Sequence, residues 1–165
     1  MQNFRTMNTE QQSFEERVIQ VNRVSKKTSG GNKIGFSVLI VVGNRQGSVG
    51  AGLGKAVDVA SAVRKGSQYA RKHQLTVILK EGRTLQHEQR IKYGAADLLL
   101  KPAPRGSGII AGGAVRTVLE LAGVKDVVAK MLGSRNKITN IYATLEALQH
   151  MRTTNTRMQR NGTNK

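Results

Sequence analysis

The chain has 165 residues, enough for one ordinary domain or two very small ones. Its 27 Lys and Arg against 10 Asp and Glu leave a formal net charge of +17, an excess that opposes compaction and is best explained by a polyanionic partner. With no cysteine, disulfides, thiolate chemistry and cysteine zinc sites are excluded, and no stretch approaches the roughly 18 apolar residues of a membrane span.

Residues 1–13 are rich in Gln, Asn and Thr, have no apolar period and no signal-peptide region, and are expected to be disordered. A cytoplasmic location follows most simply. Val18 to Ser25 predicts a strand of mixed pattern, followed by a turn at Ser29-Gly30-Gly31-Asn32. Ile34, Phe36, Val38, Ile40 and Val42 then alternate with Gly35, Ser37, Leu39 and Val41, which predicts a strand with one strongly apolar face. Residues 43–47 form a tight connection, and Ser48 to Leu53 a short third strand.

From Lys55 the period becomes helical. Ala56, Val59, Ala60, Val63 and Ala70 make an apolar stripe, with Arg64, Lys65, Gln68, Arg71 and Lys72 away from it, and the helix ends near His73. This is a β-β-β-α unit. A short strand (Thr76 to Lys80) leads to two more, Gln89 to Tyr93 and Ala95 to Lys101. A helix from Gly112 to Leu121 is ended by Gly123. A strand from Val124 to Leu132 and a helix from Ile138 to Met151, with Ile141, Leu145 and Leu148 on one face, complete the pattern. The predicted class is α+β with at least one βαβ crossover. The expected organisation is a tail (1–13), a first domain (14–80), a C-terminal α/β domain (81–151) and a basic tail (152–165). That last tail is either solvated or an arm that orders on RNA.

Basic residues are shared almost evenly: residues 1–82 carry 13 basic and 5 acidic (net +8), residues 83–165 carry 14 and 5 (net +9). Both halves are therefore expected to face the partner, and an amphipathic membrane-surface helix is disfavoured. Three Tyr, three Phe and no Trp leave few platforms for base stacking and favour contacts to phosphate and ribose.

Three glycine-rich segments carry the chemistry. Lys26-Lys27-Thr28-Ser29-Gly30-Gly31-Asn32-Lys33 places three lysines with no acid around a turn, and Arg23 extends the patch. Ser25, Lys26, Lys27, Ser29, Gly30, Gly31 and Lys33 are candidate phosphate contacts. Gly50, Gly52 and Gly54 precede Lys55. They are expected to combine close packing with backbone approach to RNA, Lys55 standing at a helix start. A phosphate loop is rejected, because Val49 occupies the first glycine position and Ala56 follows the lysine. Arg64, Lys65, Arg71 and Lys72 add a basic helix face.

Gly106-Ser107-Gly108-Ile109-Ile110-Ala111 fits a dinucleotide pattern, but Asp126 stands at the beginning of the next strand instead of its end. The stretch also resembles the phosphate loop of small-molecule kinases, without that loop's paired serines and without a magnesium ligand set. His73, His87 and His150 lack metal spacing, and Glu15-Glu16 diverge on a strand or helix. No catalytic, metal or cofactor site is expected, and no small-molecule substrate.

Taken together, VNRVSK (21–26), SGGNKIGFSVLIVVGNRQGSVGAGLGKA (29–56), TLQH (84–87), GSGIIAGGAVRTVLELAGVKDVVAK (106–130) and GSRN (133–136) resemble the bacterial-type small-subunit ribosomal protein S-five family. The resemblance covers residues 15–150. It implies a first domain like a double-stranded-RNA-binding fold and a second with a βαβ unit shared with some kinases. It implies binding to small-subunit (16S-type) rRNA, contact with ribosomal proteins S-four and S-eight, a place near the messenger RNA entry path, and an influence on decoding accuracy. Ser25–Lys33 would approach the head–body junction beside the spectinomycin site. Arg105, Gly106, Gly108, Gly112 and Arg116 would lie on the surface facing S-four. The chain departs from the family at Glu88, where a proline commonly follows TLQH or its equivalent.

Overall fold

The computed structural model describes residues 14–161, with side chains to Met151. The expected tail at 1–13 lies outside the described residues. Two four-stranded sheets and three helices make the fold.

The first sheet begins with a long hairpin, β1 (Glu15–Thr28) and β2 (Gly31–Gly43), joined through Ser29 and Gly30. Gly31 at φ +127 takes the left-handed backbone that a tight turn needs. Strand β3 (Ser48–Ala56) pairs along β2, and the two-residue β4 (Leu75–Thr76) closes the order β1-β2-β3-β4. The expected strand at 76–80 shrinks accordingly, since Lys80 instead forms a local bridge with Thr84.

Helix α1 (Val59–Lys72) starts at Asp58, whose carboxylate accepts from the Ser61 amide at 3.3 Å. Arg71 and Lys72 sit in its last turn, where the helix dipole favours cations. Its buried face is Ala62, Gly66, Ser67 and Ala70, with Val59 and Val63 at the margin. This corrects the predicted stripe, in which Ala60 is exposed. Lys55 is likewise corrected: it lies within β3, opposite Ser37, three residues before the helix cap.

The glycines of β3 explain that burial. A Cβ on Gly50, Gly52 or Gly54 would collide with the carbonyl oxygen of Ala70, Gly66 or Ala62. The bare strand lets the α1 backbone lie directly on the sheet. All three are buried, so the expectation that they expose backbone to RNA is corrected: their space is filled by α1.

The inner part of the first sheet is covered on both faces. Val38, Ile40 and Val42 pack under α1, while Leu39 and Val41 join Val49 and Ala51 in a second core with the C-terminal half. The single apolar face predicted for β2 therefore becomes two. Full burial of such side chains contributes about 1.5–3 kcal/mol each.

The second sheet has the order β5 (Gln89–Tyr93), β6 (Ala96–Pro102), β8 (Val127–Met131), β7 (Ile109–Ile110). Strands β7 and β8 are parallel and joined through α2 (Gly113–Ala122), which is the expected βαβ crossover. Gly123 at φ +85 ends α2, with its amide on the Glu120 carbonyl and that of Val124 on Leu119. Helix α3 (Lys137–Asn161) is entered through Asn136, whose side chain accepts from the Ile138 amide at 3.0 Å. Ile141, Leu145 and Leu148 are buried along it. The α3 backbone continues ten residues past the predicted end at Met151, to Asn161, and residues 162–165 lie outside the described residues.

The halves interlock at the β2–β3 connection. The Arg45 and Gly47 amides donate to the Leu121 and Ala122 carbonyls at 2.9 and 3.0 Å, using acceptors that the end of α2 leaves open. Arg45 holds φ +56 to do so, and Arg17 reaches Glu120 across the same junction.

Candidate nucleic-acid interface

Every residue from Val21 to Ile34 is exposed, so the outer half of the β1–β2 hairpin packs on nothing. The chain has no acidic residue between Glu16 and Asp58. On this projection stand Arg23, Lys26, Lys27 and Lys33. Among the described residues none of them faces a carboxylate within ion-pair distance, and the same holds for Lys55, Arg64, Lys65 and Lys72.

Register sharpens the point. Lys26 is directly opposite Lys33, a like-charge pair that destabilises the ribbon by itself. An isolated two-stranded hairpin is marginal in water, and two lysines across its tip weaken it further. A polyanion laid against these lysines would offset that cost. Strand alternation places Lys26 and Lys33 on one face and Arg23, Ser25 and Lys27 on the other, so two sides present cations.

A groove lies at the root of the tip, lined by Lys26, Lys33, Lys55 and Lys65 together with Val24, Ile34 and Phe36. Val57, at its edge, is 70 % exposed. Two sequence-predicted segments, the turn and the β3–α1 corner, are thus brought together. Arg71 differs from the rest of its helix face, because Glu16 holds it at 2.8 Å. Glu15 and Glu16 diverge as expected: Glu15 binds Arg17 and Arg45, while Glu16 binds Ser67 and Arg71. Ser29, Gly30 and Gly31 lie at the tip, and a Cβ on Gly30 or Gly31 meets no atom within 4 Å.

The segment Arg105–Arg116 is built differently. Gly106 and Gly108 have φ +90 and +68, and both donate their amides to one carboxylate oxygen of Asp126, at 3.0 and 3.1 Å. The other oxygen accepts from Arg83 at 3.0 Å. Burial raises the Asp126 pKa, but the Gly108 amide, Arg83 and the Gly106 amide together outweigh it and hold the carboxyl below its ordinary value. Asp126 is 2 % exposed, so it braces the loop from below. The sequence reading sets Asp126 only against a dinucleotide-fold pattern and misses this part; an acid 18 and 20 residues beyond two glycines is the available signal.

Arg105 is exposed and held by Glu81 at 2.6 Å, and Arg116 donates to the Ile109 carbonyl at 2.8 Å. Gly112 is half-buried against Met131. Exposed Ile110 and Val128 stand side by side across the β7–β8 register and make an apolar spot. Glu88 faces Lys101 at 3.2 Å, so its charge is met inside the chain.

His73 stacks on Tyr69, and His87 lies 3.2 Å from Gln89. Among the described residues no helix is long and apolar enough to cross a membrane.

Comparison with known proteins bears on this geometry. The family model described as ribosomal protein S5, N-terminal domain, matches residues 14–77, and that of the C-terminal domain matches residues 91–161. The small ribosomal subunit protein uS5 of Synechococcus elongatus is 51% identical over 146 residues, 88% of this chain and 81% of the relative. The protein uS5c of Porphyra purpurea is 51% identical over 140 residues, 85% and 80% of the two chains. The uS5 of Picosynechococcus is 48% identical over 150 residues, 91% and 87%. Members of this family are structural, non-enzymatic parts of the small ribosomal subunit. The two halves of the α+β fold correspond to these two family domains, and the chain belongs to the ribosomal protein S5 family.

Proposed function

We propose that the chain clamps helical rRNA of the 16S type through the β1–β2 hairpin tip and the β3–α1 corner. Arg23, Lys26, Lys27, Lys33, Lys55, Arg64, Lys65 and Lys72 supply the phosphate contacts. The observation that carries this reading is the exposed stretch 21–34, with four cations, no acid and no packing of its own. Ser25, Ser29, Gly30 and Gly31 bring hydroxyls and bare backbone to the same tip. The Arg105–Arg116 loop, with Gly106, Gly108 and Gly112, faces the neighbouring protein S-four. S-eight is a second neighbour, and messenger RNA passes nearby. Through the S-four contact the chain supports decoding accuracy. The ribosome concerned is cytoplasmic.

A tagged copy, expressed in cells and run on a sucrose gradient after a high-salt wash, tests the reading. Co-sedimentation with the small subunit is expected, and its loss in the Lys26→Ala/Lys27→Ala/Lys33→Ala variant locates the clamp. Equal binding of the pure protein to arbitrary RNA duplexes would favour a free double-stranded-RNA-binding module. Stop-codon readthrough that does not change in Arg105→Ala and Arg116→Ala variants would remove the accuracy role.

A further inference from the structure

All three tyrosines of the chain meet in one place. Tyr69 on α1, Tyr93 on β5 and Tyr142 on α3 line two adjoining clefts that share Tyr142, Leu145 and Gln149. Tyr69 stacks on His73 at 4.1 Å between ring centres, and Tyr93 lies against Tyr142 at 6.0 Å with 29° between the rings. Tyr69 and Tyr93 remain 47 % and 41 % exposed, so ring surface is open to a partner. Burial, with the phenols of Tyr69 and Tyr93 nearby, raises the Tyr142 pKa and keeps its ring neutral.

Glu146 lies one turn along α3 from Tyr142 and lines the Tyr93–Tyr142 cleft. It is half-buried. Among the described residues it is the one carboxylate with no hydrogen bond or ion pair. Every other described Asp and Glu is held by an arginine, a lysine, a serine or a backbone amide. In a chain with 27 basic residues, the one described acid left open lines a cleft with two tyrosines. Tyrosine faces attract cations, and a planar guanidinium can stack on a ring while forking to a carboxylate. The same carboxylate repels phosphate, so the cleft is set apart from the RNA-facing hairpin.

We propose that this cleft receives an arginine side chain from a neighbouring protein, the guanidinium lying on the Tyr93–Tyr142 pair and pairing with Glu146. The proposal does not depend on how the hairpin binds RNA. Since the chain has no Trp, tyrosine emission reports on this cleft alone. The test titrates the full chain with the peptide Gly-Ser-Arg-Ser-Gly and with its citrulline counterpart, which keeps shape and loses charge. One anchored side chain is expected to bind at about millimolar strength. Citrulline, and separately Glu146→Gln, should each weaken the response roughly tenfold. Tyr93→Leu, an exposed change that spares the core, should weaken it as well. Equal responses to arginine and citrulline, or an unaltered response in Glu146→Gln, would overturn the proposal. So would emission that shifts with a uridine hexanucleotide and ignores the peptide, which would make the cleft a base-stacking platform.

Discussion

The hairpin tip and the Arg105–Arg116 loop are both glycine-rich, basic and exposed, yet their charges are treated in opposite ways. At the tip, Lys26 faces Lys33 across the strands, and no carboxylate answers either. In the loop, Arg105 has Glu81, Arg116 lies 3.8 Å from Glu120, and buried Asp126 ties down two backbone amides. A cation already paired inside its own chain has little left to offer a polyanion. The tip is therefore a cationic surface left open, as the proposed RNA contact requires, and the loop is a shape already fixed within the chain, as the proposed protein contact requires. Counting basic residues misses this difference, since both segments score as positive.

The glycines divide the same way, and the largest expected effect follows from that. Gly52→Ala drives a methyl group into the Gly66 carbonyl under α1, where neither backbone can yield. Overpacking of this kind is expected to cost about 3 kcal/mol or more, read as a fall in melting temperature of the isolated protein. A stable Gly52→Ala variant with lost rRNA binding would return β3 to the RNA face and undo the packing assignment.

Next in size is the tip. Replacing Lys26, Lys27 and Lys33 together by Ala should leave the fold intact, because none of them packs against the core. The logarithmic salt dependence of rRNA binding should flatten by about 0.9 per lost phosphate contact on a helical target. Arg105→Ala, whose charge is already spent on Glu81, should change that slope far less. Equal changes in the two variants would erase the distinction between the regions.

Asp126 gives a smaller effect with a definite pH sign. Its folded pKa is depressed, so its contribution is fully present above the unfolded value near 3.9 and is lost as pH falls through the lower folded one. Hydrogen exchange at the Gly106 and Gly108 amides should lose protection over that acid range. In Asp126→Asn the loss should no longer depend on pH there. Amide protection that follows pH identically in both proteins would place the brace elsewhere.

Local patterns in the sequence carried much of the fold. The Gly31 turn, the β5 limits, the Gly123 stop and the buried stripe of α3 all rest on residues close in the chain. What was not legible depended on contacts between distant segments. The stripe of α1 was misplaced because its contact surface is set by glycines of β3, which let Ala62 and Gly66 sink where larger residues would not. The second apolar face of β2 arises only when α2 folds onto it and α3 packs beside it on β3. For the interface, lysines flanking a turn were visible, but their facing register and lack of partners were not. Asp126 meets its two glycines only after α2 has crossed between the parallel strands.

The smallest expected effect separates fold from contact most cleanly. Gly30 is at the tip, its φ is not positive, and a Cβ there meets no atom within 4 Å. Gly30→Ala should therefore shift stability by less than about 0.5 kcal/mol, as for other surface changes. If phosphate approaches the bare backbone at the turn, rRNA affinity should still drop a few-fold, because the new methyl group occupies the approach path. A fall in affinity at constant melting temperature would mean that this glycine serves the partner and not the hairpin. Unchanged affinity would confine the contact to the lysine side chains, leaving Ser29-Gly30 as a turn and nothing more.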